Sequence, residues 1–414
     1  MFARTMELAI SSDTKRAMYT RSTLIALSIV LVLKVCWFSR LGVGENRELV
    51  DFDGFYIAAQ RVWLGDIDQA YQFLKLAEMQ RQANPGARIF LPWTYPPQFD
   101  LVVAPLAFLP VGLAYLAFTA KTLGFYLLTL RSIARCYFAL LLVLLFPTLA
   151  NNVAIGQNGF LTGGLMGVAC MAFSNRQIVA GLALGSMVIK PHLAVALAGY
   201  TLLTRRWIVA LVAGAVVLAS SLAATVLLGP GIWSAFLEGV RESGIFLEKG
   251  VGPLHRMISP YAALRSAGLP SWAALAAQGT VAILSVAAIM FAIRCGFASR
   301  STLGFVAMVS VLISPYAFDY DLPVLGIGLA LLLPEIVQFG SERERATIYG
   351  LIFIAGIYGL LQAFRLQDGS NYHEHRLLSI SGIALVLAVI LVFRILLRSH
   401  RSKATEIAAN VTTR

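Results

Sequence analysis

The sequence predicts an all-α polytopic membrane protein with about 12 transmembrane or re-entrant helices and a long first external loop that contains amphipathic helices. The first observation is composition: of 414 residues, 58% are hydrophobic and 13% are charged, and the mean hydropathy is +0.76. Soluble domains carry about 25% charged residues, so this chain has too few to cover a water-exposed surface. The second observation is a series of apolar stretches, and the third is where the basic residues lie between them.

The apolar stretches define the predicted helices. A transmembrane helix needs about 20 mostly apolar residues, and twelve stretches approach that length, although several are short. They lie at 22–39, 111–130, 136–150, 159–174, 178–190, 192–204, 207–228, 271–293, 302–315, 320–334, 346–364 and 377–397. The chain is therefore divided into an N-terminal leader (1–21), one membrane domain (22–397) and a basic tail (398–414) that we expect to be disordered.

The basic residues predict the orientation. If the stretches alternate across the membrane, every short basic turn falls on the same side as the N-terminal leader. These turns are Arg131/Arg135, Arg176, Arg205/Arg206, Arg294/Arg300, Arg343/Arg345 and Arg398/Arg401/Lys403. Because cytoplasmic loops carry the excess of Lys and Arg, we expect both termini to be cytoplasmic. The opposite, non-cytoplasmic side then receives the loop 40–110, the turn 151–159, the loop 229–270 and the short segments around 190, 316–321 and 365–376.

The residues also exclude several classes of function. The four cysteines form no C-x-x-C pair and have no His at zinc spacing, so we expect neither a disulfide framework nor a metal site. The net charge of +12 is scattered, without the basic stripe and interleaved aromatics of a nucleic-acid surface, so nucleic acid is not an expected partner. No G-x-G-x-x-G, P-loop, G-x-S-x-G or H-E-x-x-H motif occurs, and no cofactor is expected.

The stretches 178–190 and 192–204 form a short hairpin. Only 28 residues separate Arg176 from Arg205, which gives roughly 21 Å per leg against a hydrocarbon core of ~30 Å. Pro191 breaks the helix and leaves Lys190 and His192 at the tip. Non-helical backbone at membrane depth is tolerated where it is buried in protein or lines a wet cavity, so we expect a cavity at this tip.

Five polar clusters fall on the predicted non-cytoplasmic side, where helices enter the membrane. Charges at such positions cost about 2.5–3.5 kcal/mol each on insertion scales and usually serve function. The clusters are Asp51-Phe52-Asp53-Gly54-Phe55-Tyr56, Tyr95-Pro96-Pro97-Gln98, Gly156-Gln157-Asn158-Gly159, Lys190-Pro191-His192 and the segment from Ser314 to Asp321.

These motifs carry a resemblance to a known family. The pattern D-F-x-x-F-Y-x-A-A from Asp51 to Ala59, followed by Y-P-P, G-Q-N, K-P-H and S-P-x5-D, resembles glycosyltransferase family 87 over about residues 50 to 325. That family contains polyprenol-phosphate-mannose-dependent α-mannosyltransferases of bacterial envelopes. The resemblance implies a C-type membrane glycosyltransferase fold, a sugar donor carried on a polyprenyl phosphate and a catalytic carboxylate in the first external loop.

The expected function is therefore an inverting hexosyl transfer, with mannose as the first expectation. With this resemblance we expect the protein to lie in the inner (plasma) membrane, in contact with membrane lipids. The expected donor is a polyprenyl-phosphate sugar, and the expected acceptor is an envelope glycan or glycolipid on the periplasmic face. The oligomeric state is left open. A transporter or flippase is the alternative, because broken helices and a midplane lysine suit it too. A polymerase or ligase acting on lipid-linked glycans is a third hypothesis.

Asp51 and Asp53 are the candidate general bases, with Asp51 preferred. The run from Gly54 to Leu64 predicts a short amphipathic helix that ends at Gly65. Asp53 then takes the N-cap position, where backbone N–H groups occupy its side chain. This leaves Asp51 freer to accept a proton, while both residues also fit plain capping of the chain.

The other motifs supply the candidate substrate-binding residues. Lys190 and His192 suit contact with a phosphate, whereas Gln157 and Asn158 suit hydrogen bonds to sugar hydroxyls. Each residue also has a purely structural interpretation: snorkelling for the lysine, a hydrogen bond to a carbonyl for the histidine, and a polar turn for the two amides. The remaining predicted substrate-binding residues come from the same motifs and are Tyr56, Tyr95 and Asp321.

Overall fold

The chain folds as an all-helical protein. The computed structural model describes residues 2–42, 47–85, 89–366 and 377–412. Within these ranges there is no β-strand, and one isolated antiparallel bridge joins Met257 to Phe318. The described α-helices are, in order, α1 (Phe2–Glu7), α2 (Asp13–Leu41), α3 (Asp51–Leu64), α4 (Phe73–Ala83), α5 (Pro97–Val103), α6 (Val111–Ala134), α7 (Phe138–Ile155), α8 (Gly159–Ala172), α9 (Gln177–Ser186), α10 (Pro191–Leu203), α11 (Trp207–Leu228), α12 (Ile232–Lys249), α13 (Pro260–Ser266), α14 (Ser271–Arg294), α15 (Ser299–Ile313), α16 (Leu322–Phe339), α17 (Glu342–Leu366) and α18 (Ser381–Thr412).

Each of the twelve predicted apolar stretches corresponds to one helix, with ends that differ by a few residues; the helices are α2, α6 to α11 and α14 to α18. Seven helical stretches in the described residues are long and apolar enough to cross a membrane: Asp13–Leu41, Val111–Ile155, Trp207–Leu228, Ser271–Arg294, Asp319–Phe339, Glu342–Leu361 and Ser381–Lys403. Five shorter apolar helices accompany them: Pro97–Phe108, Gly159–Ala172, Gln177–Ile189, Pro191–Leu203 and Ser299–Ile313. The helical, multi-span architecture is as predicted, whereas a count of about twelve crossings is not confirmed.

Both chain ends differ from the prediction. Helix α2 begins at Asp13, nine residues before the predicted span, because the Ser12 hydroxyl caps it by accepting the Lys15 N–H at 3.3 Å. Helix α18 continues to Thr412, so the tail that we expected to be disordered is helical; its Ala, Lys and Glu residues favour helix. Residues 367–376 of the predicted last external loop lie outside the described residues.

The bundle has a central helix and lipid-exposed peripheral ones. Nearly every residue of α16 is buried, and this helix packs against α6, α7, α8 and α15. In contrast, α2, α11 and α14 bury few of their apolar side chains and leave the rest exposed or half-buried. Contiguous apolar surface of this extent is not tolerated in water, so these three helices carry the lipid-facing surface of the bundle.

Helices α3, α4, α5, α12 and α13 form what is called below the Asp51 end of the bundle. A second core of aromatic side chains holds α3 in place there. The Phe55 ring contacts the rings of Trp93, Tyr95 and Phe99 at centroid distances of 6.1, 5.6 and 5.2 Å. Such edge-to-face contacts fix both the position and the rotation of a helix, so the first turn of α3 is fixed relative to the segment before α5.

Candidate active site

Helix α3 begins at Asp51, three residues earlier than predicted, with Val50 as its N-cap. The prediction that Asp53 is the N-cap is therefore wrong: Asp53 occupies the third helical position, and its carboxylate folds back to accept the Val50 N–H at 2.9 Å. Two nitrogens of Arg47 donate to the same carboxylate at 2.7 and 2.6 Å. Asp53 is fully buried and both of its oxygens are occupied.

Asp51 has a different environment, at the first position of the same helix. Gln157 donates from Nε2 to Asp51 Oδ1 at 2.9 Å. The second oxygen, Oδ2, lies 3.6 Å from Arg256 Nη1, and among the described residues it accepts no hydrogen bond. The Asp51 side chain is 16% exposed. One oxygen is thus oriented by an amide, while the other is available to accept a proton.

Two glycines bring Gln157 to this position. Gly156 ends α7 at φ 68°, in the left-handed region, and a Cβ there would lie 2.7 Å from the Phe52 Cβ. A Cβ on Gly159 would lie 1.8 Å from the Tyr320 carbonyl oxygen. Only glycine permits such close approach, so the turn 156–159 packs against α3 on one side and the Tyr320 backbone on the other.

At the predicted hairpin tip, Lys190 is buried between α9 and α10, whereas Pro191 is exposed and His192 is half-buried. The Lys190 Nζ lies 2.7 Å from Asp321 Oδ1, and the two side chains are 6% and 1% exposed. The other Asp321 oxygen accepts the Phe318 N–H at 3.1 Å. Two cavities, of about 410 and 820 Å³, lie elsewhere, lined by residues such as Tyr200 and Phe73 respectively. Lys190 lines neither of them; it is enclosed in an ion pair.

The structure joins the five polar clusters into one contact network. Gln157 links Asp51 to Tyr95, because its Oε1 accepts the Tyr95 hydroxyl at 2.9 Å. The Lys190 Nζ lies 5.8 Å from the Tyr95 ring centroid, and Lys190 in turn binds Asp321. Segments separated by up to 270 residues of sequence thus meet at one place, the Asp51 end of the bundle.

Three predicted substrate-binding residues are placed less directly. The Tyr56 hydroxyl donates to the Leu109 carbonyl at 2.9 Å and has no hydrogen bond to this network. Both amide atoms of Asn158, and Nε2 of His192, are buried without a hydrogen-bond partner in the described part of the chain. Buried polar atoms of this kind call for an explanation such as a bound ligand or water.

Arg256 was missed by the sequence reasoning. It lies in a short 3₁₀ turn between α12 and α13, and it donates to the Asp319 carboxylate from Nε at 3.3 Å and Nη2 at 3.1 Å. An Ile258 N–H to Ala317 carbonyl bond of 2.9 Å aligns the two segments. The pKa of Arg256 is raised: burial opposes its charge, but the carboxylates of Asp319 and Asp51 outweigh burial. Its predicted location in the loop 229–270 was the only signal in the sequence.

Two neighbouring groups are uncharged at neutral pH. Burial, followed by the nearby carboxylates of Asp51 and Asp321, holds the pKa of the Tyr95 hydroxyl well above its ordinary value. Burial lowers the pKa of the His255 imidazole to about 4, and the adjacent Arg256 charge adds to this. The cations of the site are therefore Lys190 and Arg256. The described residues include no group of three or more His, Cys, Asp or Glu side chains arranged to hold a metal ion.

Comparison with known proteins gives one match. The family model for glycosyltransferase family 87 matches residues 93–315, which is more than half of the 414 residues. The match includes Tyr95, Gln157, Lys190 and Arg256, whereas Asp51 and Asp321 lie outside it. No curated protein and no solved structure gives a significant match.

Proposed function

Because this chain belongs to glycosyltransferase family 87, we propose that it transfers a hexose, with mannose as the first candidate, from a polyprenyl-phosphate donor. Membership establishes the coarser statement that the protein is a membrane glycosyltransferase. The proposed acceptor is an envelope glycan or glycolipid on the periplasmic side of the inner membrane. Nucleotide sugars are absent from that compartment, so a lipid-carried sugar is the donor that suits it.

The contact network around Asp51 carries this proposal. A glycosyl transfer needs a base for the acceptor hydroxyl and groups that stabilise the departing phosphate. Among the described residues, Asp51 Oδ2 accepts no hydrogen bond and lies 3.6 Å from Arg256, and a second cation, Lys190, belongs to the same network through Tyr95 and Asp321. An acceptor hydroxyl that attacks the anomeric carbon directly inverts its configuration, and one carboxylate base suffices, whereas glycoside hydrolysis uses a pair.

We assign the base to Asp51 and a structural role to Asp53. Asp53 is enclosed by Arg47 and the Val50 N–H, so taking up a proton there would break a buried ion pair. Asp51 has one ordinary hydrogen bond, from Gln157, and partial exposure. Asp53 therefore has more hydrogen-bond partners than Asp51, and this difference supports the assignment.

Lys190, His192, Asn158, Gln157 and Tyr95 are proposed to form the walls of the sugar-phosphate site. The buried amide atoms of Asn158 and Nε2 of His192, which lack protein partners in the described ranges, are suited to polar groups of a sugar phosphate. Family membership weighs against the transporter alternative, and no contact described above favours it.

The test compares Asp51→Asn with the wild type in membranes supplied with a labelled polyprenyl-phosphate hexose and an extract of envelope lipids. General-base catalysis is worth about 10²- to 10⁴-fold in rate, so kcat is expected to fall by at least about 100-fold. Asp66→Asn is the matched control, because Asp66 pairs with Arg61 at 3.2 Å in the same loop, away from the network. Retained transfer by Asp51→Asn would dismiss Asp51 as the base. Absence of wild-type transfer from every polyprenyl-phosphate hexose would dismiss the donor class.

A further inference from the structure

Arg256 lies between two carboxylates and binds them unequally. Asp319 accepts hydrogen bonds from Nε and Nη2 at 3.3 and 3.1 Å. Asp51 Oδ2 is 3.6 Å from Nη1, which is beyond a normal hydrogen bond. The guanidinium is therefore held by Asp319 and only loosely associated with Asp51.

The guanidinium has hydrogen-bonding capacity left over. Arginine carries five N–H donors, and the Asp319 carboxylate uses two of them. The other three have no acceptor at hydrogen-bond distance in the ranges that the structure describes. The planar guanidinium matches the oxygens of a phosphate, so Nη1 offers donors of the kind that a phosphate requires.

Lys190, the other cation, is less available. Its side chain is 6% exposed, compared with 18% for Arg256, and its 2.7 Å bond to Asp321 is shorter than any contact of Arg256. Both cations lie over the Tyr320 ring: the Lys190 Nζ is 4.5 Å and the Arg256 Cζ 5.5 Å from its centroid. Arg256 is thus the cation that an incoming anion meets without first breaking a buried ion pair.

The charge count requires some rearrangement when a donor binds. Asp51, Asp319 and Asp321 outnumber Lys190 and Arg256 by one negative charge, and a phosphodiester adds another.

During transfer the proton of the acceptor hydroxyl passes to Asp51 Oδ2, and the hydroxyl oxygen forms a bond to the anomeric carbon. The bond from that carbon to the phosphate oxygen breaks, and its electron pair stays on the phosphate. One negative charge therefore leaves Asp51 and appears on the phosphate.

We propose that the donor phosphate displaces Asp51 from Nη1 of Arg256, so that binding of the donor releases the base. Asp319 keeps its hold on Nε and Nη2, and the guanidinium exchanges one anion for another at its free edge. Arg256 then stabilises the phosphate more strongly as its charge grows, which favours the transition state over the bound donor. This inference rests on the proposed function, since it requires a donor carried on a phosphate.

The first experiment measures binding of polyprenyl monophosphate, without sugar, to the purified protein in nanodiscs. Hydrogen bonds to charged groups have strengths that correspond to about 10- to 100-fold in affinity, so Arg256→Gln is expected to weaken binding by that factor. Arg61→Gln is the matched control; it removes an arginine from the Arg61–Asp66 pair and should bind like the wild type.

The second experiment is the pH profile of kcat/KM, which reports the base of the free enzyme. The ionisable groups that face Asp51 are Arg256, Asp319, Tyr95 and Tyr320. Removing the one cation among them disfavours the ionised carboxylate, so the acid limb of Arg256→Gln should lie at higher pH than that of the wild type. A residue that only supported the fold would lower kcat without moving this limb.

The outcomes separate the two proposals. Wild-type affinity for polyprenyl monophosphate in Arg256→Gln, or an unmoved acid limb, would overturn the exchange while leaving the proposed function intact. A wild type that neither binds this lipid nor transfers sugar would overturn both. If Arg256→Gln does not fold, Arg256→Lys decides: it keeps the charge but loses the planar set of donors, so a loss of binding of a few-fold is expected. Unchanged binding in Arg256→Lys would contradict the exchange.

Discussion

Two ion-pair networks at opposite ends of α2 differ in how fully they are satisfied. At the far end from Asp51, Arg345 donates to both oxygens of Glu7 at 2.7 and 3.2 Å and to the Gly340 carbonyl at 2.8 Å. The Tyr349 hydroxyl donates to the same Glu7 carboxylate at 3.2 Å. At the Asp51 end, three N–H donors of Arg256 and one oxygen of Asp51 have no hydrogen-bond partner among the residues that the structure describes.

The comparison indicates what each network does. When the hydrogen-bonding groups of a network have protein partners, the network stabilises the fold by joining its elements. Arg345 of α17 joins Glu7 of α1 in this way. A network with unpaired polar groups can instead bind a ligand that supplies the missing partners. Arginine–carboxylate pairs of similar length thus join two helices at one end and, in our proposal, form part of a ligand site at the other.

The largest expected effect belongs to Asp321→Asn at the Asp51 end. The change leaves the buried Lys190 charge without its partner, so the free energy of unfolding should fall by about 3–5 kcal/mol. Unfolding of the purified protein in detergent measures it. The combined variant Lys190→Met with Asp321→Leu removes both charges and should recover most of that stability.

Transfer activity of the combined variant sharpens the comparison further. If the pair belongs to the substrate site, activity stays low even though stability returns. Recovery of both stability and transfer would show that the Lys190–Asp321 ion pair is purely structural, and would contradict the predicted contact between Lys190 and phosphate.

An intermediate effect is expected for Arg345→Gln at the opposite end. It leaves the Glu7 carboxylate with the Tyr349 hydroxyl as its remaining described partner, so we expect a loss of about 1–3 kcal/mol in stability. Transfer per folded molecule should match the wild type. The exposed Arg343, two residues away, forms no ion pair in the described structure and gives the control Arg343→Gln. Impaired catalysis in folded Arg345→Gln would show that the two ends are coupled.

The smallest effect is expected for Tyr95→Phe. The change removes one hydrogen bond to Gln157 Oε1, which still accepts the Asn158 N–H at 2.8 Å. Loss of a neutral hydrogen bond costs about 0.5–1.5 kcal/mol, so kcat should fall by less than about tenfold. Tyr261→Phe, which removes a hydroxyl bonded to the Leu247 carbonyl at 3.0 Å, is the control for a lost tyrosine hydroxyl. Equal kcat losses in the two variants would show that the Tyr95 hydroxyl does not help to orient Gln157.

Much of the fold was predictable because burial in lipid leaves a local pattern. Each apolar stretch lies on a helix, Gly65 ends α3, and the chain breaks at Lys190 before Pro191. Helix ends were less predictable. Asp53 was placed at the N-cap, yet the helix begins at Asp51, because a carboxylate at the third position caps a helix as readily as one at the N-cap.

Part of the site was also visible in the sequence, as polar residues at helix ends in an apolar chain. Asp51, Gln157, Tyr95, Lys190 and Asp321 were selected in this way, and they lie in one network. Their pairing was not visible. That Lys190 is neutralised by Asp321 depends on the meeting of segments 131 residues apart.

The sequence by itself determined that the protein is helical and embedded in lipid, because composition and apolar length are properties of each stretch alone. It also determined which polar residues are costly enough to matter. Only the tertiary structure decided how these charges are shared. Both oxygens of Asp53 are hydrogen-bonded, one oxygen of Asp51 accepts no hydrogen bond from the described part of the chain, and Arg256 lies beside that oxygen. Hydrogen bonds and ion pairs act over a few ångströms, so their pattern exists only once distant segments have packed.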